Sequence, residues 1–154
     1  MTTDDAAIRP LTDAEQRLLA AVLDELVPAR ADGRLPAAGR LGVAGTVDEA
    51  LRAAPMLRDV VLDGLAELDA QARQQDPQGF GALGDAARLT LLQQQGFVFP
   101  LLLQVYAAYY HQPEVLEALG LEARAPHPVG HEMPPDDLGL LDRVRRGPRR
   151  WRAV

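Results

Sequence analysis

The most apolar segment of the chain reads FVFPLLLQVYAAYY, residues 97–110. Only Pro100 and Gln104 interrupt it, and it falls well short of the roughly 20 residues that a helix needs to span a bilayer. Pro100 is tolerated because it lies in the first turn of the predicted helix, where a backbone N–H has no helical partner. We therefore expect a buried helix here, at the centre of the core.

A first helix is predicted upstream of this segment, over residues 12–27. Its start is a capping box, because the Thr12 hydroxyl and the Glu15 carboxylate can each satisfy an amide N–H that the helix leaves free. Leucine and valine then repeat at helical spacing until Pro28 interrupts the pattern. The helix should bury one apolar face.

Two further helices are predicted in the middle of the chain. A second capping box, at residues 46–49, opens a short helix that ends near Pro55, and we expect its carboxylates Asp48 and Glu49 to be solvated. The next helix is longer and is closed by the turn sequence at residues 76–79. Its buried face is predicted to hold Leu57, Val60, Val61, Leu65, Leu68 and Ala72.

Later segments continue the helical pattern. Asp85 can cap a helix that extends to about residue 95, and Pro113 suits the first turn of a short helix. Gly120 can supply the left-handed residue that ends that short helix. No segment shows the alternating polarity of a strand with conviction. The sequence predicts an all-α fold, a single-domain bundle of about five to seven helices.

A proline-rich arm follows, APHPVGHEMPP at residues 125–135. Its four prolines remove four backbone donors and hold the chain near polyproline or turn geometry, so the arm has to lie on its own domain or on a partner. Beyond it, Leu138, Leu141 and Val144 share one face of a short terminal helix. We predict a helical domain over residues 1–120, and an extended arm with a terminal helix over residues 121–154.

Charge is unevenly distributed along the chain. Residues 1–142 carry all 22 acidic residues and ten arginines, a net charge of −12, whereas residues 143–154 carry six arginines and a net charge of +6. An acidic body repels phosphate, so we expect no nucleic-acid partner. The basic tail is better suited to the acidic body itself or to an acidic patch on a partner protein.

Composition excludes several kinds of chemistry. The chain has no cysteine, which rules out disulfides, thiolate nucleophiles and cysteine-ligated metal clusters. No phosphate loop, nucleophile motif or dinucleotide fingerprint is present. The first ten residues contain neither a basic and apolar leader nor a twin-arginine signal, so we expect the chain to be cytoplasmic, or exported with a signal-bearing partner.

Two groups of side chains leave alternatives open. His127, His131 and Glu132 lie within six residues, as zinc ligands can. Pro128 and Gly130 leave the ring directions unspecified, so structural contacts are the favoured interpretation and a metal site the alternative. The second group, Tyr106, Tyr109 and Tyr110, spans just over one helical turn; core packing is favoured and an interface is the alternative.

Several of these segments together resemble a known family. They are Leu11-Thr12-Asp13-Ala14-Glu15, Leu26-Val27-Pro28, Tyr109-Tyr110-His111-Gln112-Pro113-Glu114-Val115, Leu119-Gly120, Pro126-His127-Pro128-Val129-Gly130, and residues 137–145. The pattern is similar to the small third subunit of gluconate 2-dehydrogenase. It departs from the family in two respects: the common twin-arginine signal is absent, and His131 stands where an aromatic residue commonly follows the glycine.

The resemblance implies an accessory subunit without redox chemistry or cofactor of its own. Its partner would be a large flavoprotein of the glucose-methanol-choline type, which holds FAD and oxidises a sugar, a sugar acid or a related alcohol. Some complexes of this kind also include a cytochrome. The alternative is a stand-alone helical protein-interaction module.

The resemblance and the proline-rich arm together suggest how the chain would bind. The arm and the terminal helix would lie over the large subunit and order it, and no residue of this chain would be catalytic or ligate a metal or cofactor. The predicted partner-binding residues are Tyr109, Tyr110, Pro126, Pro128, Gly130, His131, Leu140, Leu141 and Arg145.

Overall fold

A computed structural model of the chain describes residues 8–123 and 138–148. Within these residues there are seven α-helices and no strand, which confirms the predicted all-α fold and its number of helices. The helices are α1 Asp13–Leu26, α2 Val43–Arg52, α3 Pro55–Arg73, α4 Asp85–Leu92, α5 Val98–Tyr109, α6 Pro113–Ala118 and α7 Leu140–Arg145. Two short 3₁₀ turns, Gly39–Leu41 and Phe80–Ala82, precede α2 and α4.

The chain divides into two units, Met1–Ala123 and Arg124–Val154. The hydrophobic core formed by the described residues lies in the first unit, where α2 packs against α1, α3 and α5. The fully buried aliphatic side chains of these four helices are Leu19, Val22, Leu23, Val43, Val47, Leu51, Val61, Leu68, Leu101 and Val105. The predicted separation of an arm from residue 121 onwards stays a prediction.

The first helix begins as its sequence predicts. The Thr12 hydroxyl accepts a hydrogen bond from the Glu15 amide at 3.3 Å, and the Glu15 carboxylate accepts one from the Thr12 amide at 2.7 Å. Arg9 adds an ion pair to Glu15 at 2.8 Å. The hydrogen bond from Arg9, with further ones from Thr12, lowers the pKa of Glu15 to about 2. The capping box of α1 is confirmed.

The second capping box is wrong, because α2 begins earlier than predicted. Gly42 is its N-cap, with φ of 70°, and the first helical residue is Val43. Thr46 and Glu49 therefore lie inside the helix rather than at its start. The burial of Val43 and Val47 on the same face explains the longer helix, since a helix continues as long as its apolar face has a core to cover.

Asp48 is buried, contrary to the prediction that it is solvated. It pairs with Arg58 of α3 at 2.7 Å, and both residues are only 3% exposed. Arg58 also donates to the Arg9 carbonyl oxygen at 2.7 Å, and the Leu11 amide donates to Asp48 at 3.4 Å. A buried charge needs such partners. The pair joins the segment before α1 to α2 and α3.

Two glycines allow close approach between elements. A Cβ at Gly39 would overlap the Ala20 carbonyl oxygen of α1, and a Cβ at Gly64 of α3 would overlap the ring of Phe97. Only glycine fits at either position without a shift of backbone or ring. These contacts set the spacing of the 3₁₀ turn from α1, and of α3 from the start of α5.

The end of α6 also follows the sequence prediction. Gly120 adopts φ of 76°, the Leu121 amide donates to the Leu116 carbonyl, and the Gly120 amide donates to the Glu117 carbonyl, each at 2.9 Å. These two bonds form a Schellman motif. Pro113 occupies the first turn of the helix as predicted.

The prediction of a central, buried α5 is wrong in one respect. The helix forms over the predicted residues, but only one face is buried, through Leu101, Val105, Ala108 and Tyr109. It packs mainly on α2 and α3, at the edge of the bundle, so its opposite face stays open. Val60 of α3, predicted to be buried, is likewise half exposed.

Candidate partner interface

The open face of α5 carries a continuous row of large apolar side chains. Phe99 is 73% exposed, Leu103 58%, Tyr106 42% and Tyr110 46%. Their spacing of four, three and four residues places them on one line along the helix. We call these four residues the α5 stripe.

The α5 stripe lies in a stretch of sequence without charge. Residues 89–113 contain no Asp, Glu, Lys or Arg, although a quarter of the whole chain is charged. Exposed helix faces normally carry charged residues, whereas the centres of protein interfaces are depleted in charge and enriched in aromatic residues. The α5 stripe therefore has the composition of an interface centre.

A tyrosine cluster fixes one end of the α5 stripe. Tyr109 is buried, and its hydroxyl donates to the Pro36 carbonyl oxygen at 2.7 Å. Burial, and then the neighbouring Tyr110, raise the pKa of Tyr109. The Tyr110 ring stands edge-on to Tyr109 with 5.2 Å between ring centroids, and Tyr106 is tilted against Tyr110 at 6.0 Å. The buried Tyr109 ring thus supports Tyr110 from beneath, and Tyr110 in turn contacts Tyr106.

The second unit presents its own apolar face. Leu138, Leu141 and Val144 are all exposed, and they recur every third residue along the segment that includes α7. Arg145 is exposed beside them and pairs loosely with Asp142 at 3.7 Å. The prediction that all three share one face of the terminal helix is wrong for Leu138, which precedes the N-cap Gly139; Leu141 and Val144 lie within α7.

The predicted partner-binding residues fall into three groups. Tyr110, Leu141 and Arg145 are on the surface, while Tyr109 is in the core and supports Tyr110 from beneath. Four of the remaining residues, Pro126, Pro128, Gly130 and His131, lie outside the described residues. Leu140 is in α7, but its side chain is not described.

Sequence reasoning missed Phe99 and Leu103 as surface residues. For the three tyrosines it favoured the core, which is correct for Tyr109, whereas Tyr106 and Tyr110 are exposed, as the interface alternative requires. In an amphipathic helix, the polar residues indicate which face is exposed. Because α5 is apolar all round, its sequence periodicity does not indicate an exposed face. The one available signal was the length of the uncharged stretch around it.

An open groove of about 620 Å³ lies between α1 and α3. Leu18, Leu62 and Phe80 contribute apolar lining, while Asp69 and Arg73 stand among its charged lining residues. These two charges pair with each other at 2.7 Å. None of the described helices has the length and hydropathy needed to span a bilayer. Among the same residues, no group of three or more His, Asp or Glu is placed to hold a metal ion. The alternative metal ligands His127, His131 and Glu132 lie outside these residues.

Comparison with known proteins identifies one family. A family model described as gluconate 2-dehydrogenase subunit 3 matches residues 13–96, which run from the start of α1 to the residue before Phe97. The tyrosine segment and the arm that carry part of the resemblance lie beyond this match. No curated protein and no solved structure matches the chain. Because the matched region covers more than half of its length, the chain belongs to the gluconate 2-dehydrogenase subunit 3 family.

Proposed function

We propose that this chain is a non-catalytic accessory subunit that binds a large FAD-dependent dehydrogenase, and stabilises it or assists its maturation. The observation that carries the proposal is the family match over residues 13–96. In this proposal the large subunit is a flavoprotein of the glucose-methanol-choline type, which holds the FAD and oxidises a sugar, a sugar acid or a related alcohol. A cytochrome is a further candidate component. The complex is cytoplasmic, or exported through a signal on the partner.

The exposed apolar surfaces support a binding role. The α5 stripe and the face formed by Leu138, Leu141 and Val144 both leave large apolar side chains in water. Contiguous exposed apolar surface commonly marks a protein interaction site, because covering it is favourable. A partner that covers these surfaces would be stabilised in its folded, flavin-loaded form by mass action.

The test is co-expression with a candidate large flavoprotein from the same genome. Size-exclusion chromatography with flavin absorbance read at each peak should show the two chains eluting together with FAD. Omission of this chain should reduce the flavin content or the solubility of the large subunit. A flavoprotein that stays soluble, loaded and active while this chain elutes alone would contradict the proposal.

A stand-alone interaction module is the second candidate. It is favoured by one observation: the α5 stripe and the C-terminal unit both lie outside the residues that match the family model. These surfaces would then serve a partner unrelated to a dehydrogenase. Affinity capture with the purified chain, followed by identification of a single stoichiometric partner, separates the two candidates.

A further inference from the structure

We propose that the α5 stripe is a docking surface for the large dehydrogenase, and that it binds an uncharged apolar patch on that subunit. The inference rests on the proposed function and adds to it a place on the chain. The predicted partner-binding residues lay mainly in the arm and the terminal helix, whereas this surface belongs to the unit that contains the hydrophobic core.

The size of the α5 stripe sets the scale of the contact. From their exposed fractions, its four side chains present on the order of 400 Å² to solvent. A patch of this size is as large as the largest apolar patch on a typical monomer, and such patches are often functional. Burying it would contribute substantially to association, although ordering and desolvation offset part of that gain.

Two rings of the α5 stripe, Tyr106 and Tyr110, already make ring contacts in the unbound chain. The buried Tyr109 ring supports Tyr110, and the Tyr109 hydroxyl is tied to Pro36 in the preceding loop at 2.7 Å. Tyr106 contacts Tyr110 in turn. Because these rings lose little further freedom on binding, the entropic cost of docking is reduced. Tyrosine is also a common hot-spot residue, since it adds a hydroxyl to a large apolar surface.

A second copy of the chain is a poorer occupant than a large partner. Two α5 stripes placed face to face would bury about 800 Å² in total, whereas stable specific interfaces bury about 1,200–2,000 Å². A large subunit can extend its contact beyond α5 and reach that area. The area therefore favours a partner with a broad surface.

Charge argues against the C-terminal helix of the same chain as the occupant. Its apolar residues are interleaved with Arg143, Arg145 and Arg146. Asp142 of the same helix lies 3.7 and 3.8 Å from the last two, so α7 keeps a net positive charge and is better suited to an acidic surface. The stretch around the α5 stripe, residues 89–113, offers no carboxylate. An uncharged surface is complementary to an uncharged one, which is why we assign a neutral apolar patch on the partner.

The test compares two leucines of similar exposure in different helices. Leu103 in the α5 stripe is 58% exposed and Leu89 in α4 is 50% exposed, and both lie within helices. Leu103→Ser and Phe99→Ser should each weaken binding to the large flavoprotein at least about tenfold. The dissociation constant of each variant is measured against the immobilised flavoprotein. Leu89→Ser, the matched control, should bind within about twofold of wild type. Circular dichroism melts of each variant check that it folds.

Photocrosslinking supplies a readout that does not depend on affinity or stability. A photoreactive phenylalanine analogue at position 103 should crosslink to the large subunit in the full-length complex. The same analogue at position 89 should not. Equal crosslinking from both positions, or none from position 103, would overturn the assignment.

The remaining outcomes separate this inference from the proposed function. If wild type binds and both stripe variants bind equally well, the α5 stripe is not the docking surface but the proposed function stands. If wild type does not bind the flavoprotein, the proposed function fails and the assignment fails with it. If wild type alone is a dimer by light scattering and Leu103→Ser is a monomer, a second copy is the occupant. If deleting residues 124–154 raises the binding of a dye specific for apolar surface in wild type but not in Leu103→Ser, the C-terminal segment is the occupant.

Discussion

At the scale of single residues, the pair Asp48 and Arg58 illustrates what a sequence does not reveal. Asp48 follows Thr46 in a pattern that predicts a capping box, yet it lies inside α2 and pairs with Arg58 ten residues later. No local rule distinguishes a solvated carboxylate from a buried one whose partner is supplied by another helix. The fold decides this, because burial of Val47 and Leu51 on the same helix carries Asp48 inward.

We expect Asp48→Asn to lower the free energy of unfolding by about 3 kcal/mol, because it leaves the buried Arg58 without its counter-charge. Asp48→Leu combined with Arg58→Met should be less destabilising than either single change, since no unpaired charge remains. Urea denaturation of wild type, Asp48→Leu, Arg58→Met and the double variant measures this coupling, and Asp48→Asn is measured beside them. Additive losses in the double variant would show that the two residues do not act as a pair.

Glu15 makes the stability of the folded chain depend on pH. Its pKa is about 2 in the folded chain and near 4.5 when unperturbed, so the unfolded state binds its proton first as pH falls. The stability that Glu15 contributes is therefore complete above pH 4.5 and is lost progressively towards pH 2. Glu15→Gln should be less stable than wild type at pH 7 and should approach it below pH 3. Glu49→Gln, an exposed carboxylate in α2, is the matched control; an equal change in that variant would contradict the assignment to Glu15.

At the scale of elements, most helices could be predicted because their signals are local. The capping box of α1, the proline at the start of α6 and the glycine at its end each act within a few residues. The start of α2 and the open face of α5 could not, because they depend on which neighbours cover them. An all-apolar helix can lie at the centre or at the edge of a bundle with the same sequence. The predicted position of α5 in the bundle was therefore wrong, although its predicted bounds were right.

Helix spacing also depends on a feature that glycine content alone does not reveal. Gly64 of α3 and Gly45 of α2 both lie inside helices, but Gly64 is covered by Phe97 whereas a Cβ at Gly45 meets nothing within 4 Å. Gly64→Ala should destabilise the chain by about 1–3 kcal/mol through overpacking. Gly45→Ala should stabilise it by about 0.5–1 kcal/mol through helix propensity. Thermal unfolding of both variants measures these changes in stability. A stabilised Gly64→Ala would show that the Phe97 ring or α5 can shift at little cost.

At the scale of the whole molecule, the core and the proposed binding surfaces are arranged differently along the chain. Among the residues that the structure describes, the hydrophobic core is built from side chains between Leu11 and Val115. Deleting residues 124–154 should leave the melting temperature of the remaining chain within about 2 °C, because every core side chain that the structure describes is retained. The same deletion should abolish co-purification with the large flavoprotein if the arm and α7 provide the main attachment. It should only weaken co-purification if the α5 stripe holds the partner as well, since two linked contacts reinforce each other through effective concentration. Full binding by the shortened chain would show that the arm is not an attachment site, whereas a collapse of its melting temperature would show that the C-terminal segment completes the fold.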